Sequence, residues 1–199
     1  MLVGTPVRAE TYIAGMVGIH VPNNLSDIDL DCGCKSTDEK LQTSVMYGAK
    51  VGHYFDSMRW LGIETEIFNA TPHKKQQEVT ITQAGQAPVV TTDSSLLRVT
   101  TVALNILARY PGERLQPYVG IGPGVFFARA QENATSQYST SVGLNALAGL
   151  RVIVTQHVSI FGEWKYNYTR LDFPAAGALL GYSANYSANM LAFGVGYHF

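Results

Sequence analysis

The chain has 199 residues, with 14 Lys and Arg against 15 Asp and Glu, for a formal charge of −1. Hydrophobic residues make up 46% and charged residues only 15%, which excludes a disordered chain and leaves no basic footprint of the kind nucleic-acid binders need. No apolar run of about 20 residues is present, which excludes a conventional transmembrane helix but not a crossing by alternating strands of about ten residues.

Residues 1–9 lack the basic and apolar regions of a leader and are read as a remnant or tail outside the folded unit, which is expected over 10–199. The first strand alternates Thr11, Ile13, Gly15, Val17 and Ile19 against Tyr12, Ala14, Met16 and Gly18. A polar link over 21–43 follows, with Asp27, Asp29 and Asp31 ahead of Cys32-Gly33-Cys34 and then Asp38 and Glu39. Its glycine and final glutamate fall out of step with a calcium loop, and two cysteines one residue apart suit neither a closed zinc site nor an ordinary disulfide. A solvated acidic loop is the expectation, with no metal and no cofactor.

The second strand sets Val45, Tyr47, Ala49 and Val51 against Met46, Gly48, Lys50 and Gly52, and the third sets Leu61, Ile63, Thr65 and Ile67 against Gly62, Glu64, Glu66 and Phe68. After a polar stretch over 70–94, Val102, Leu104, Ile106 and Ala108 alternate with Thr101, Asn105 and Arg109. Tyr110-Pro111-Gly112 marks a tight turn into the fifth strand, where Val119, Ile121, Pro123, Val125 and Phe127 oppose Tyr118, Gly120, Gly122, Gly124 and Phe126. Pro123 lacks a ladder donor and is a local objection to that strand's register. The sixth strand runs from Val142 to Val154, the seventh from Ile160 to Thr169 and the eighth from Met190 to Phe199. Helix is a poor alternative, because the alternating glycines destabilise it and leave no stripe of helical period.

The links alternate in length. Those near 53–60, 110–116 and 155–158 are short, whereas those near 21–43, 70–94, 129–139 and 170–187 are long and polar, so all the long ones fall on one rim of an up-and-down barrel. The two faces also differ. One carries Val119, Ile121, Val142, Leu144, Leu150, Val152, Leu191, Phe193 and Val195, while the other carries glycines with Lys50, Glu64, Glu66, Arg109, Arg151, Glu163 and Lys165. Alternation alone does not say which face points inward. Loop asymmetry and low overall charge favour apolar-out, with the charges paired across a narrow interior. The opposite assignment is a soluble barrel enclosing an apolar ligand.

Gln116-Pro117-Tyr118-Val119-Gly120-Ile121-Gly122-Pro123-Gly124-Val125, Phe161-Gly162-Glu163-Trp164-Lys165-Tyr166 and the end Leu191-Ala192-Phe193-Gly194-Val195-Gly196-Tyr197-His198-Phe199, together with the sixth strand, resemble the small outer-membrane β-barrels of Gram-negative bacteria. These include the transmembrane domain of outer-membrane protein A and the opacity-type proteins. The resemblance implies an all-β fold: an eight-stranded antiparallel up-and-down transmembrane barrel, monomeric, in the bacterial outer membrane. It also implies contact with outer-membrane lipids and lipopolysaccharide, and an assembly signal for the outer-membrane assembly machinery in Tyr197 and the terminal Phe199.

Trp60, Tyr110, Tyr118 and Tyr197 are expected in an aromatic belt at the short-turn rim, and Trp164, Tyr166 and Tyr168 toward the other. Tyr138, Tyr182 and Tyr186 are candidates for an adhesive surface on the loops. His53, His157 and His198 are the acid/base candidates, but no compact grouping of Ser, His and acid is legible, and His20 and His73 add nothing to it. The expected function is therefore non-enzymatic: a structural or surface-interaction role, including adhesion, exercised through the long external loops. The alternatives are a narrow ion or small-solute channel, then a lipid-modifying enzyme or a soluble ligand-binding barrel. The external partner is not legible.

Overall fold

A computed structural model describes residues 10–30, 35–36, 41–72, 77–82, 89–93, 96–132, 135–175 and 181–199. The expected tail at 1–9 and the Cys32-Gly33-Cys34 segment lie outside the described residues.

The barrel wall consists of β1 (Glu10–Pro22), β4 (Ser44–Tyr54), β5 (Leu61–Ala70), β8 (Leu96–Arg109), β9 (Leu115–Glu132), β10 (Thr135–Ile153), β11 (Val158–Phe173) and β12 (Tyr182–His198). Each pairs antiparallel with the next, and β12 pairs back onto β1 from Tyr12↔His198 to Pro22↔Ala188, so the wall has no open edge. Closure matters physically, because in hydrocarbon every wall N–H and C=O must find its partner within the sheet.

Period two holds around the ring and decides the faces. Residues such as Val17, Val45, Ile106, Val119, Val142, Phe193 and Val195 are about half exposed or more, while Tyr12, Lys50, Glu64, Asn105, Arg151 and Lys165 are buried. Apolar-out is therefore the observed arrangement. The glycines on the inner face make room for large neighbours: a β-carbon on Gly149 would sit 2.6 Å from Tyr118 Cζ, and one on Gly52 2.4 Å from Tyr12.

Pro123 interrupts one ladder and leaves the other intact. Leu144 pairs with Pro123 on the β10 side, but between β8 and β9 the register passes from Ala103↔Gly124 to Ile106↔Ile121 with Leu104 and Asn105 unpaired. A proline without N–H permits this break, and Gly122 lets the Leu104 carbonyl press against the opposite backbone, where a β-carbon would meet it at 1.8 Å.

Four of the expected links need correction. The polar stretches at 129–139 and 170–187 are mostly continuations of the wall: β9 and β10 pair as far as Glu132↔Thr135, and β11 and β12 as far as Phe173↔Tyr182. Polarity outside the apolar band does not end a ladder, and Tyr, Ser and Thr alternate well in strands. The stretches at 21–43 and 70–94 also contain strands, namely β2 (Ser26–Leu30), β3 (Lys35–Ser36), β6 (Gln77–Thr82) and β7 (Val89–Asp93). These extend the sheet beyond the outer end of β12 in the order β12-β2-β3-β6-β7. At the β12–β2 junction the register shifts between Ser183 and Asn185, and Asp27 takes a left-handed φ of 50°. This bulge turns the chain so that Leu25 and Ile28 are buried while Asp29 reaches Arg170.

Candidate functional site

Among the described residues, buried side chains from all eight wall strands reach into the lumen. At the inner end, Glu10 of β1 is paired with Arg109 and lies 3.4 Å from Arg151 Nη1. Arg109 also donates from Nε to the Arg59 carbonyl at 3.0 Å and from Nη1 to Gln116 Oε1 at 3.1 Å. Its guanidinium stacks 3.6 Å from the centre of the Tyr54 ring, and that of Arg151 stacks 4.1 Å from Tyr12. Flat cations stacked on phenol rings pack this end of the lumen.

Above that layer Lys50 is bonded to Glu163 and lies 3.2 Å from Glu64. Tyr12 donates to Glu64, and Tyr118 donates to Glu163 at 2.5 Å. Lys165 bridges Glu66 at 2.5 Å and Glu163 at 3.1 Å. Glu66 receives two further donors, Asn105 at 3.1 Å and Asn145 at 2.8 Å, and Asn167 continues the chain to Asn145 at 2.7 Å. Lys50, Lys165, Arg109 and Arg151 thus balance Glu10, Glu64, Glu66 and Glu163 charge for charge. Charges can persist in so buried a site because each has an opposite partner; the carboxylates also accept from Tyr12, Tyr118, Asn105 and Asn145, whereas among the described residues Arg151 Nε, Glu64 Oε1 and Glu163 Oε2 have no hydrogen-bond partner.

The outer half of the lumen is mostly apolar, although Gln137 and Ser139 of β10 are also buried at that level. Leu97, Val99, Phe126, Ala128, Leu171, Phe173, Ala184 and Tyr186 pack from the wall, and Leu25, Ile28 and Leu41 from the segment between β1 and β4 pack with them as a stopper. At the junction His20 and Tyr186 are joined through Nε2 and the hydroxyl at 2.7 Å.

Lys50, Glu64, Glu66, Arg109, Arg151, Glu163 and Lys165 are all brought into this lumen. The sequence reading missed Glu10, Tyr12 and the three asparagines as lumen residues and took His198 only as an acid/base candidate, although Tyr12, Asn105, Asn145, Asn167 and His198 fall on the same face by parity. Glu10 was hidden by its place at the first residue of β1.

The aromatic assignments divide. Trp60, Tyr110 and Tyr197 are exposed near the short-turn rim, and Trp164, Tyr166 and Tyr168 project outward along β11, with Trp164 and Tyr166 stacked at 6.5 Å. Tyr118 is corrected: it is 3% exposed and inside the barrel, because it lies on the same side of β9 as Gly120, with Val119 facing out. Tyr186 is buried in the apolar cluster and Tyr182 is half-buried against it, while Tyr138 is exposed.

The structure brings together one Ser, His and acid grouping that was not legible in the sequence. Ser159 Oγ and His198 Nε2 lie 2.7 Å apart, and His198 Nδ1 is 2.6 Å from Glu10 Oε1. Sequence could not show this grouping, since its members come from β11, β12 and β1. Two features separate it from a working triad: Nδ1 is not aligned for a hydrogen bond to the carboxylate, and Ser159 is only 1% exposed. His53 bonds to Thr11 at 2.9 Å and His157 stacks on Tyr197, so neither joins it. Among the described residues no group of three or more His, Cys, Asp or Glu is placed to hold a metal ion. Asp27 and Asp29 instead bind Asn185 and Arg170.

A closed antiparallel barrel with an apolar exterior band and a charged, filled interior defines a transmembrane β-barrel. Residues 6–199 match the family model described as outer membrane protein beta-barrel domain, and the chain belongs to that family, whose place is the bacterial outer membrane. Among solved structures, OprG from Pseudomonas aeruginosa is similar at 16% identity and TM-score 0.65, with 96% of each chain covered. Neisserial surface protein A is similar at 14% identity and TM-score 0.61, with 95% of this chain and 97% of that one covered. The outer membrane protein AlkL is similar at 16% identity and TM-score 0.56, covering 100% of this chain and 93% of that one. At these identities the likeness concerns the fold. A search of curated protein sequences finds no match.

Proposed function

We propose that this barrel acts through its exterior, as a non-enzymatic structural and surface-interaction protein of the outer membrane, with adhesion as the role of the sheet extension beyond the membrane. The observation that supports this reading is the double closure of the lumen, by paired charges in the inner half and by the Leu25, Ile28 and Leu41 stopper in the outer half. Buried side chains paired and packed across the lumen oppose a continuous water path, whereas β2, β3, β6 and β7 extend the sheet beyond the barrel wall. The chain is expected to act as a monomer, with Tyr197 and Phe199 serving the assembly machinery.

The test has two arms. Reconstituted into planar bilayers, the wild-type chain is expected to leave conductance at the lipid baseline; steady ohmic current would overturn the reading in favour of a channel. Cells displaying the chain are expected to adhere to matrix-coated surfaces more than cells displaying a version with 73–95 replaced by a short turn, and equal adherence would remove the role assigned to the extension.

The proximity of Ser159, His198 and Glu10 supplies a second reading, a hydrolase with Ser159 as nucleophile, against which stand the burial of Ser159 and the unaligned Nδ1 of His198. Exposure to a fluorophosphonate probe distinguishes the two. No labelling is expected on the non-enzymatic reading, while labelling that disappears in Ser159→Ala would establish a reactive serine.

A further inference from the structure

Part of the stopper and the polar contacts that face solvent above it belong to one short segment, residues 23–30. Leu25 and Ile28 are 1% and 3% exposed and pack in one cluster with Leu97, Phe126, Leu171 and Tyr186, whereas Asp27 and Asp29 are exposed. Residues three apart on an extended chain face opposite sides, so burying both 25 and 28 requires a reversal between them. Asp27 supplies it with its φ of 50°, the only positive φ of a non-glycine residue among the described residues. That backbone conformation is unfavourable for an L residue, and the contacts on either side must offset it.

The restraints on the outer side are few and exposed. Arg170 of β11 bonds Asp29 at 2.9 Å and Ser183 at 2.7 Å, and Asn185 donates to Asp27 at 2.8 Å. Asn23 is tied to Ser187 through its backbone N–H at 2.9 Å and its side-chain amide at 2.8 Å. The Arg170 and Asp29 side chains are 46% and 49% exposed, so salt reaches them and screens their attraction. Among the described residues β2 meets β12 at three register positions, with a shift between Ser183 and Asn185. By contrast β11 and β12 pair without a break from Val158↔Tyr197 to Phe173↔Tyr182. Local opening begins where backbone pairing is thinnest, which here is the seam between β2 and the wall.

We propose that residues 23–30 form a hinged strap, latched outside by Asp29 on Arg170 and seated inside by Leu25 and Ile28, which lifts from the mouth of the barrel when salt screens the latch. Latch and seat alternate along one segment and move as one body, so an ionic change at the surface is transmitted to the lumen. The wall stays closed and Lys50, Lys165, Glu66 and Glu163 stay paired below, so the opened mouth is a blind apolar cup and not a conduit. β3, β6 and β7 continue the sheet from β2, so the strap carries the extension with it. The device is independent of whether that extension adheres to anything.

The experiment places a cysteine at the seat, I28C in a C32S/C34S background, in the full chain refolded into phosphatidylcholine vesicles, and follows its reaction with a membrane-impermeant maleimide. Rates are normalised to the heat-unfolded chain, which removes the effect of salt on the reagent. From about 0.01 M to about 1 M sodium chloride, labelling is expected to accelerate roughly two- to fivefold, the factor a screened surface ion pair supplies. R170Q is expected to label at the high-salt rate in both. D27V, whose branched side chain disfavours the left-handed backbone, is expected to label on the order of tenfold faster than the parent at low salt. L147C, buried at the level of Lys165, is expected to stay unlabelled throughout. Hydrogen exchange of backbone 23–30 in the unsubstituted chain repeats the salt comparison without a cysteine, and decides it if I28C itself loosens the seat. A rate unchanged or slowed by salt, or an R170Q chain that keeps the parent's salt response, would overturn the latch. D27V indistinguishable from the parent would overturn the hinge, and labelling of L147C in step with I28C would overturn the strap, because the whole barrel would then be opening.

Discussion

Replacing Lys165 by methionine removes a charge while nearly conserving the volume of its stem. Lys165 and both its carboxylate partners have side chains that are 0% exposed. Without the ammonium, Glu163 keeps Lys50 and Tyr118, but Glu66 keeps only the amide donors of Asn105 and Asn145. Orphaning one member of a buried pair costs about 3–5 kcal/mol, because water does not reach the charge left behind. With a urea slope of about 2 kcal/mol per M, K165M should unfold at a concentration lower by roughly 1.5–2.5 M. Neutralising the orphan in the same chain, K165M/E66Q, should return stability to within about 1 kcal/mol of wild type, a coupling of at least about 2 kcal/mol between the sites. The assay is urea unfolding in phospholipid vesicles, followed by gel migration of unheated samples and by tryptophan fluorescence. A K165M midpoint indistinguishable from wild type, or a double variant as unstable as the sum of K165M and E66Q, would show that lumen water screens these charges and that the network is not dry.

Two glycine substitutions should separate the inner face from the outer. Gly149→Ala places a β-carbon 2.6–2.8 Å from Tyr118 and the Glu163 stem, and is expected to cost at least about 1 kcal/mol in the same titration. Gly15→Ala, facing out with nothing within 4 Å, should be neutral or stabilising by up to about 1 kcal/mol. Phe199→Ala tests the proposed assembly signal: Phe199 is 70% exposed and rests edge-on against Tyr197, so its loss should leave refolding in detergent unchanged but lower the amount reaching the outer membrane in cells. Equal loss in both measurements would make Phe199 a packing residue instead.

Strand identity, strand order and the charged face were legible in the sequence because a pleated strand obeys a local rule: each residue's side is set by parity with its neighbours. Parity also put Tyr118 beside Gly120, and its expected place in the aromatic belt failed where residue type was preferred over that rule. The lengths of β9 to β12 were underread because hydropathy reports the membrane's thickness, not the reach of the hydrogen-bond ladder. Only the closed ring could decide which charges meet. Glu10 and Arg109 are 99 residues apart, Lys50 and Glu163 are 113 apart, and Ser159 approaches His198 across a strand pair, so their contacts depend on the shear and closure of the barrel and not on local spacing. The stopper of Leu25, Ile28 and Leu41 is a tertiary decision too: a short apolar scatter in a polar stretch has no direction of its own until the mouth of the barrel gives it one.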